Sequence, residues 1–129
     1  MRHLIPAVLT LAALLPSTNM KAADKNAEKL LRHVVLFQFK DSVTEEQVKE
    51  VEDAFAALPK KIDVIHGFEF GTNNSPEGLA QDFTHCFFVT FKSEKDRDAY
   101  LPHAAHQEFV KLVKPRLEKV LVVDYWAQE

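Results

Sequence analysis

In three short segments of the chain, every second residue is a phenylalanine, a valine or a histidine. This period-two pattern limits the possible folds more than any other feature. One side of the three segments is aromatic and includes three histidines: His33, Val35, Phe37, Phe39, His66, Phe68, Phe70, Phe83, His85, Phe87, Val89 and Phe91. Alternate residues of a strand point to opposite faces, so this set is predicted to form one face of a sheet. That face holds seven of the ten phenylalanines. We therefore expect helices to bury it.

Helical patterns lie between these segments. Thr44-x-x-Gln47 is a capping box that opens a helix, and Pro59 is expected to end it. The predicted elements are strand 33–39, helix 44–58, strands 64–70 and 83–91, helices 94–101 and 104–118 (kinked at Pro115) and strand 120–126. The order β-α-β-β-α-β, with the second helical region split in two, predicts a ferredoxin-like α+β fold with a four-stranded antiparallel sheet.

The opposite face of the predicted sheet is also largely apolar. It carries Val34, Leu36, Cys86 and Phe88, and the chain has no helix left to cover it. An uncovered apolar sheet face favours packing against a second copy. The sequence therefore predicts a homodimer in which two sheets close into a shared α+β barrel.

The first 23 residues have the pattern of a secretory signal peptide. A basic start is followed by an apolar stretch at 4–15, which is too short to anchor the protein stably in a membrane. We expect residues 24–30 to be a linker, the domain to span 31–126, and the protein to be periplasmic or secreted. If translation starts at Met20, the protein is instead expected to be cytoplasmic. The single cysteine, Cys86, is expected to be buried.

Composition excludes several classes of protein. The three glycines cannot form a Walker loop or a dinucleotide-binding turn, and one cysteine cannot form a disulfide framework. The net charge is −3 and no basic cluster is present, so nucleic acid is not an expected partner. No residue pattern indicates a cofactor-binding site, so we expect no cofactor.

Three polar residues are predicted to meet the phenylalanine-rich layer and to form an acid–base set. His106 lies on the apolar stripe of the 104–118 helix, Tyr100 ends the preceding helix, and Asp124 alternates with valines on the last strand. Imidazole titrates near neutrality, a phenol can stabilise an oxyanion, and a carboxylate can fix a histidine tautomer. These three residues are the catalytic candidates.

A structural interpretation stands beside the catalytic one. A histidine on an apolar face is often a core residue bonded to a backbone carbonyl, and this applies to His33 and His85. His103-x-x-His106 has the spacing of a metal pair, but no carboxylate completes a motif, so we expect no metal ligands.

Four segments together resemble a known family. They are LRHVVLFQFK (31–40), GTNNSPEGL (71–79), FTHCFFVTFKSEKDRDAYLPHAAHQEFVK (83–111) and LEKVLVVDY (117–125). In combination they are similar to the stress-responsive dimeric α/β-barrel (Dabb) domain. The resemblance implies a ferredoxin-like monomer that dimerises through its sheet, in agreement with the patterning.

The resemblance also implies roles for individual residues. In a polyketide cyclase of this family, the catalytic tyrosine matches Tyr100 and the catalytic histidine matches His106. Its pocket histidines match His33 and His85, and the first histidine of its helix motif matches His103. Ala104 replaces the proline that usually follows that histidine.

The sequence is compatible with two functions. One is a homodimer that binds a small hydrophobic molecule between sheet and helices; the other is a cofactor-free cyclase, lyase or isomerase that uses Tyr100 and His106. The expected ligand-binding residues are His33, Val35, Phe37, His85, Phe87, His103 and Phe109.

Overall fold

The structure, a computed structural model, describes residues 29–129. Its elements are β1 (Leu31–Phe39), α1 (Glu45–Ala56), α2 (Leu58–Lys61), β2 (Gly67–Thr72), β3 (His85–Phe91), α3 (Glu94–Tyr100), α4 (Ala104–Val113), a 3₁₀ turn (Lys114–Arg116) and β4 (Leu117–Trp126). The predicted signal peptide at 1–23 and most of the predicted linker at 24–30 lie outside the described residues.

The four strands form one antiparallel sheet in the order β2-β3-β1-β4. Val35 at the centre of β1 lies opposite Phe87 on β3 and Val122 on β4, which sets the register of the sheet. The predicted ferredoxin-like α+β fold is confirmed.

An aromatic cluster joins the helices to the sheet. The ring of Phe55 on α1 stacks on that of Phe87 with centroids 4.5 Å apart, and Phe109 on α4 lies 4.5 Å from Phe55 on another side. Phe37 on β1 completes the cluster at 5.2 Å from Phe87. All four side chains are buried, so the inner faces of β1 and β3 are covered as the alternation predicted.

Two predicted strands begin later than expected because turns take up their first residues. Residues 62–65 form a turn closed by the bond from Ile65 N to Ile62 O, so β2 begins at Gly67 rather than at residue 64. Phe83 N donates to Ala80 O in a second turn, so β3 begins at His85. Phe83 therefore leaves the aromatic layer, and the Lys119 ammonium lies 4.5 Å above its ring instead.

The two prolines act differently from the prediction. The Thr44–Gln47 capping box is present and opens α1, but α1 ends at Ala56 and Pro59 lies in the first turn of α2. A proline has no N–H to donate and its φ suits a first helical turn, so it starts a helix here rather than ending one. Pro115 does not kink a long helix: α4 ends at Val113 and Pro115 falls in the 3₁₀ turn.

The sheet's other face, which we call the outer face, is not covered by the described residues. Its apolar members are Val34, Leu36, Phe88, Leu121, Val123 and Tyr125. Leu121, Val123 and Tyr125 are 43%, 50% and 46% exposed. Cys86 lies on the same face and is half-buried rather than buried as expected. Burial, followed by the charge of Glu69, raises the pKa of its thiol.

Within residues 29–129, no helix is long and apolar enough to cross a membrane.

Candidate functional site

A groove opens where the helical layer stops short of the edge strand β4. Most inward-facing residues of β1 and β3 are buried, whereas Val120 and Val122 on β4 are 52% and 50% exposed. The space between β4, β1 and α4 has a volume of about 460 Å³. It is lined by His33, Val35, Phe37, Phe55, Tyr100, Leu101, His106, Phe109, Val110, Val113, Lys114, Leu117, Val120, Val122 and Asp124.

His33 and Asp124 form a close pair at one end of the groove. They lie opposite each other on β1 and β4, and His33 Nδ1 is 2.7 Å from Asp124 Oδ1. The His33 side chain is only 7% exposed. Because a carboxylate can only accept, Nδ1 of His33 carries the proton and donates it, which leaves Nε2 as the basic atom of the neutral ring.

His106 has the same tautomer for a different reason. Its Nδ1 donates to the backbone carbonyl of Leu101 at 2.8 Å, so Nε2 again is the basic atom. Burial lowers the pKa of His106 from its ordinary value of 6.5, and repulsion from His33 and His103 in their protonated forms would act in the same direction. The hydrogen bond to Leu101 opposes this shift without cancelling it. His106 is therefore held as a neutral imidazole at neutral pH.

The ring of Tyr100 packs against both histidines. Its ring centroid is 4.3 Å from that of His106 and 5.9 Å from that of His33. The side chain is fully buried, and its hydroxyl finds no hydrogen-bond partner among residues 29–129. Burial raises the pKa of the phenol well above its usual range, so the hydroxyl keeps its proton and remains a hydrogen-bond donor.

The groove is thus polar at one end and apolar along the rest of its length. Tyr100, His33, His106 and Asp124 line the polar end, and the hydroxyl of Tyr100 is buried there without a partner among residues 29–129. Phe109, Val113 and other apolar side chains line the remainder. Such an arrangement suits a ligand with an apolar body and one polar group.

Seven of the ten residues predicted from the sequence line this groove, and three do not. The seven are Tyr100, His106, Asp124, His33, Val35, Phe37 and Phe109. Phe87 is fully buried within the aromatic cluster, and His103 caps α4 by accepting from Ala105 N at 3.0 Å.

His85 lies at the opposite end of the sheet from His33. On the antiparallel ladder of β1 and β3, His85 faces Phe37 whereas His33 faces Val89. His85 Nε2 is 3.2 Å from Glu52 Oε1, and its Nδ1 is 2.8 Å from Thr84 Oγ1. It lines a separate, open cavity formed with the loop between β2 and β3.

Two residues near the histidines were missed by the sequence reasoning. Arg97 donates to Asp124 Oδ2 at 3.2 Å, and Glu52 pairs with His85. Arg97 lies three residues before Tyr100 in α3, and this spacing on a helix was the available signal that the two side chains share a face. Glu52 lies on α1 among other acidic residues, and no local pattern distinguishes it from them.

No group of three His, Cys, Asp or Glu side chains between residues 29 and 129 is placed to hold a metal ion. The pair His103 and His106 directs both Nδ1 atoms to the backbone, to Ala105 N and to Leu101 O.

Replacing Tyr100 by phenylalanine is expected to raise the free energy of unfolding by about 1 kcal/mol. The change removes a buried hydroxyl that has no partner in the described chain and keeps the packing of the ring. Chemical denaturation measures the effect. The matched control is Thr72→Val, which removes an exposed hydroxyl at the end of β2 and for which we expect a change within about 0.5 kcal/mol. A loss of stability in Tyr100→Phe would contradict the assignment of an unpartnered hydroxyl.

Comparison with known proteins places this geometry in a family. The model of the stress responsive A/B barrel domain matches residues 31–127. A stress-response A/B barrel domain-containing protein of Arabidopsis thaliana, HS1, is 38% identical over 101 residues, which is 78% of this chain and 93% of the relative. Olivetolic acid cyclase of Cannabis sativa is 28% identical over 95 residues, 74% of this chain and 94% of the cyclase.

Solved structures share the fold. The hydroxynitrile lyase of Passiflora edulis superposes with a TM-score of 0.75 at 26% identity, covering 80% of this chain and 97% of the lyase. A dimeric protein of ferredoxin-like fold from Bacteroides fragilis, of unknown function, has a TM-score of 0.62 at 29% identity and covers 76% of this chain and 96% of its own. The matched domain and these likenesses agree with the sheet order and helix layer described above, and the chain belongs to the stress-responsive A/B barrel domain family.

Proposed function

We propose that the protein binds a small, largely apolar molecule in the groove and holds the molecule's hydroxyl or enolisable carbonyl at the polar end. The observation that carries this proposal is the fully buried Tyr100 hydroxyl, which has no partner within residues 29–129. Leaving a buried donor unpaired costs about 1–3 kcal/mol, and a ligand oxygen that accepts from it recovers this cost.

The size and lining of the groove support a ligand of this class. A volume of about 460 Å³ lies within the range of small-molecule sites in proteins. The half-exposed Val120 and Val122 on β4, together with Phe109 on α4, offer apolar surface on two sides. Covering that surface with an apolar ligand is favourable by about 25 cal/mol per Å².

The polar end supports a ligand group that both accepts and donates. Tyr100 offers a proton, while His33 and His106 each offer a basic Nε2. A hydroxyl meets both needs at once, and so does a carbonyl that can pass into its enol form.

A cofactor-free acid–base reaction is the second candidate, and the opposite pKa directions of His106 and Tyr100 favour it. The lowered pKa keeps His106 as a base, and the raised pKa keeps Tyr100 as a hydrogen-bond donor. In this proposal His106 Nε2 takes a proton from the carbon next to a ligand carbonyl, and Tyr100 stabilises the resulting enolate oxygen. The relatives include proteins named as a cyclase and a hydroxynitrile lyase, which supports chemistry at such a site.

A homodimer completes the proposal, with the outer face as its interface. Leu121, Val123 and Tyr125 expose a contiguous apolar strip of the kind that monomeric proteins rarely leave open. The relative from Bacteroides fragilis is described as dimeric, which supports this arrangement.

Binding is tested with 2-naphthol, whose fluorescence reports its surroundings, and with naphthalene as the matched probe without a hydroxyl. We expect 2-naphthol to bind more tightly, and we expect Tyr100→Phe to weaken its binding about tenfold while changing naphthalene binding little. Titration by fluorescence and calorimetry measures both affinities. If neither probe binds, or if Tyr100→Phe weakens both equally, the proposed role of the polar end is wrong.

Catalysis is tested by deuterium exchange next to the carbonyl of 1-tetralone, followed by NMR. We expect His106→Gln and Tyr100→Phe each to reduce the protein-dependent rate about a hundredfold. Because the pKa of His106 is lowered, its basic form persists below pH 6.5, and the wild-type rate should fall only at more acidic pH. Unchanged rates in both variants would exclude this mechanism and leave the binding proposal standing.

The dimer is tested by light scattering at micromolar concentration. We expect the wild type to have the mass of two chains and Val123→Glu, which buries a charge in the proposed interface, to have the mass of one. Leu79→Glu is the control, since Leu79 is 69% exposed in the loop between β2 and β3 and should leave the dimer intact. A monomeric wild type would overturn the interface.

A further inference from the structure

Three charged or polar side chains on three different elements are joined by hydrogen bonds behind the polar end of the groove. Arg97 on α3 donates to Asp124 Oδ2 on β4 at 3.2 Å, and Asp124 Oδ1 accepts from His33 Nδ1 on β1 at 2.7 Å. The side chains of Arg97 and Asp124 are 21% and 23% exposed, whereas that of His33 is only 7% exposed. Only His33 and Asp124 line the groove.

The two oxygens of Asp124 are therefore held by different partners. The torsion that turns a carboxylate about its last bond is broad, so a single hydrogen bond does not define its plane. With Arg97 on Oδ2, the carboxylate plane is set and Oδ1 stays directed at His33. Without Arg97, a carboxylate on an edge strand could turn toward water, since part of it is exposed.

The same arginine is also linked to Tyr100 through the helix. Arg97 and Tyr100 are three residues apart in α3 and lie on neighbouring positions of its surface. The ion pair with Asp124 thus ties the helix that carries Tyr100 to the strand that carries Asp124. Asp98 provides a second, more exposed partner, with Arg97 Nε 3.1 Å from its Oδ1.

Other charged or titratable groups lie near the His33–Asp124 pair. His106 and His103 approach from the start of α4, and Asp98 lies on the outer side of Arg97. His106 Nδ1–H donates a hydrogen bond to Leu101 O, and His103 Nδ1 accepts from Ala105 N, so neither of these Nδ1 atoms is available to Asp124.

We propose that Arg97 is a positioning residue for the groove: by clamping Asp124 it keeps the His33 proton on Nδ1 and presents Nε2 to a bound molecule. The consequence for ligand binding rests on the proposed function of the groove, whereas the consequence for the His33 tautomer does not.

The test compares ring ¹⁵N chemical shifts of His33 at neutral pH in the wild type, Arg97→Met, Arg97→Lys and Asp98→Asn. His33→Gln assigns the signals, and circular dichroism checks that each variant is folded. We expect a protonated Nδ1 and an unprotonated Nε2 in the wild type, mixed tautomers in Arg97→Met, and substantial recovery in Arg97→Lys, which restores the charge. Asp98→Asn removes only the exposed partner and should match the wild type.

The affinity for 2-naphthol is measured on the same samples. We expect Arg97→Met to weaken binding about tenfold, with Arg97→Lys between it and the wild type. An unchanged His33 tautomer in Arg97→Met overturns the positioning role, whatever the probe does. A shifted tautomer with no probe binding in the wild type supports the positioning role and counts against the proposed function. If Arg97→Met does not fold, Arg97→Gln takes its place, with the same outcome overturning the proposal.

Discussion

The stack of Phe55 on Phe87 is the contact on which the rest of the molecule depends. It anchors α1 over β3, and Phe109 extends the cluster to α4. Burial of each ring is worth about 1.5–3 kcal/mol, so the helices are held above β3 and β1 rather than above the whole sheet. The edge strand β4 is left uncovered on its inner side, and the groove follows from that displacement.

The polar end of the groove is ordered by the requirement that buried polar groups find partners. His33 is satisfied by Asp124 and His106 by the Leu101 carbonyl, and each contact uses Nδ1. Two histidines from different elements therefore present the same nitrogen. The exception to this pairing in the described chain is Tyr100, whose buried hydroxyl has no partner and keeps its proton. An unpaired buried donor beside two histidines distinguishes this end from an ordinary core.

The period-two alternation correctly predicted which face of the sheet a side chain lies on. It could not predict which residues of neighbouring strands lie at the same end of the sheet. It assigned His33 and His85 correctly to one face, because side-chain direction follows a period of two. It could not tell that they lie at opposite ends, since that depends on the antiparallel register in which His85 meets Phe37. The fold class was predictable because capping and hydrophobic periods are local signals. Arg97 was not, because its partner Asp124 is 27 residues away in the sequence and is brought near only by the tertiary fold.

The alternation along β4 has a consequence for how this protein can diverge. Val120, Val122 and Asp124 face the groove, whereas Leu121, Val123 and Tyr125 face the other way. Odd and even positions of one strand therefore belong to different surfaces, and each set can accumulate substitutions without changing the other. A single-residue insertion or deletion would exchange the two sets at once. Lineages of this chain should therefore tolerate replacement along 117–126 and resist any change in its length, in contrast to the exposed loop between β2 and β3.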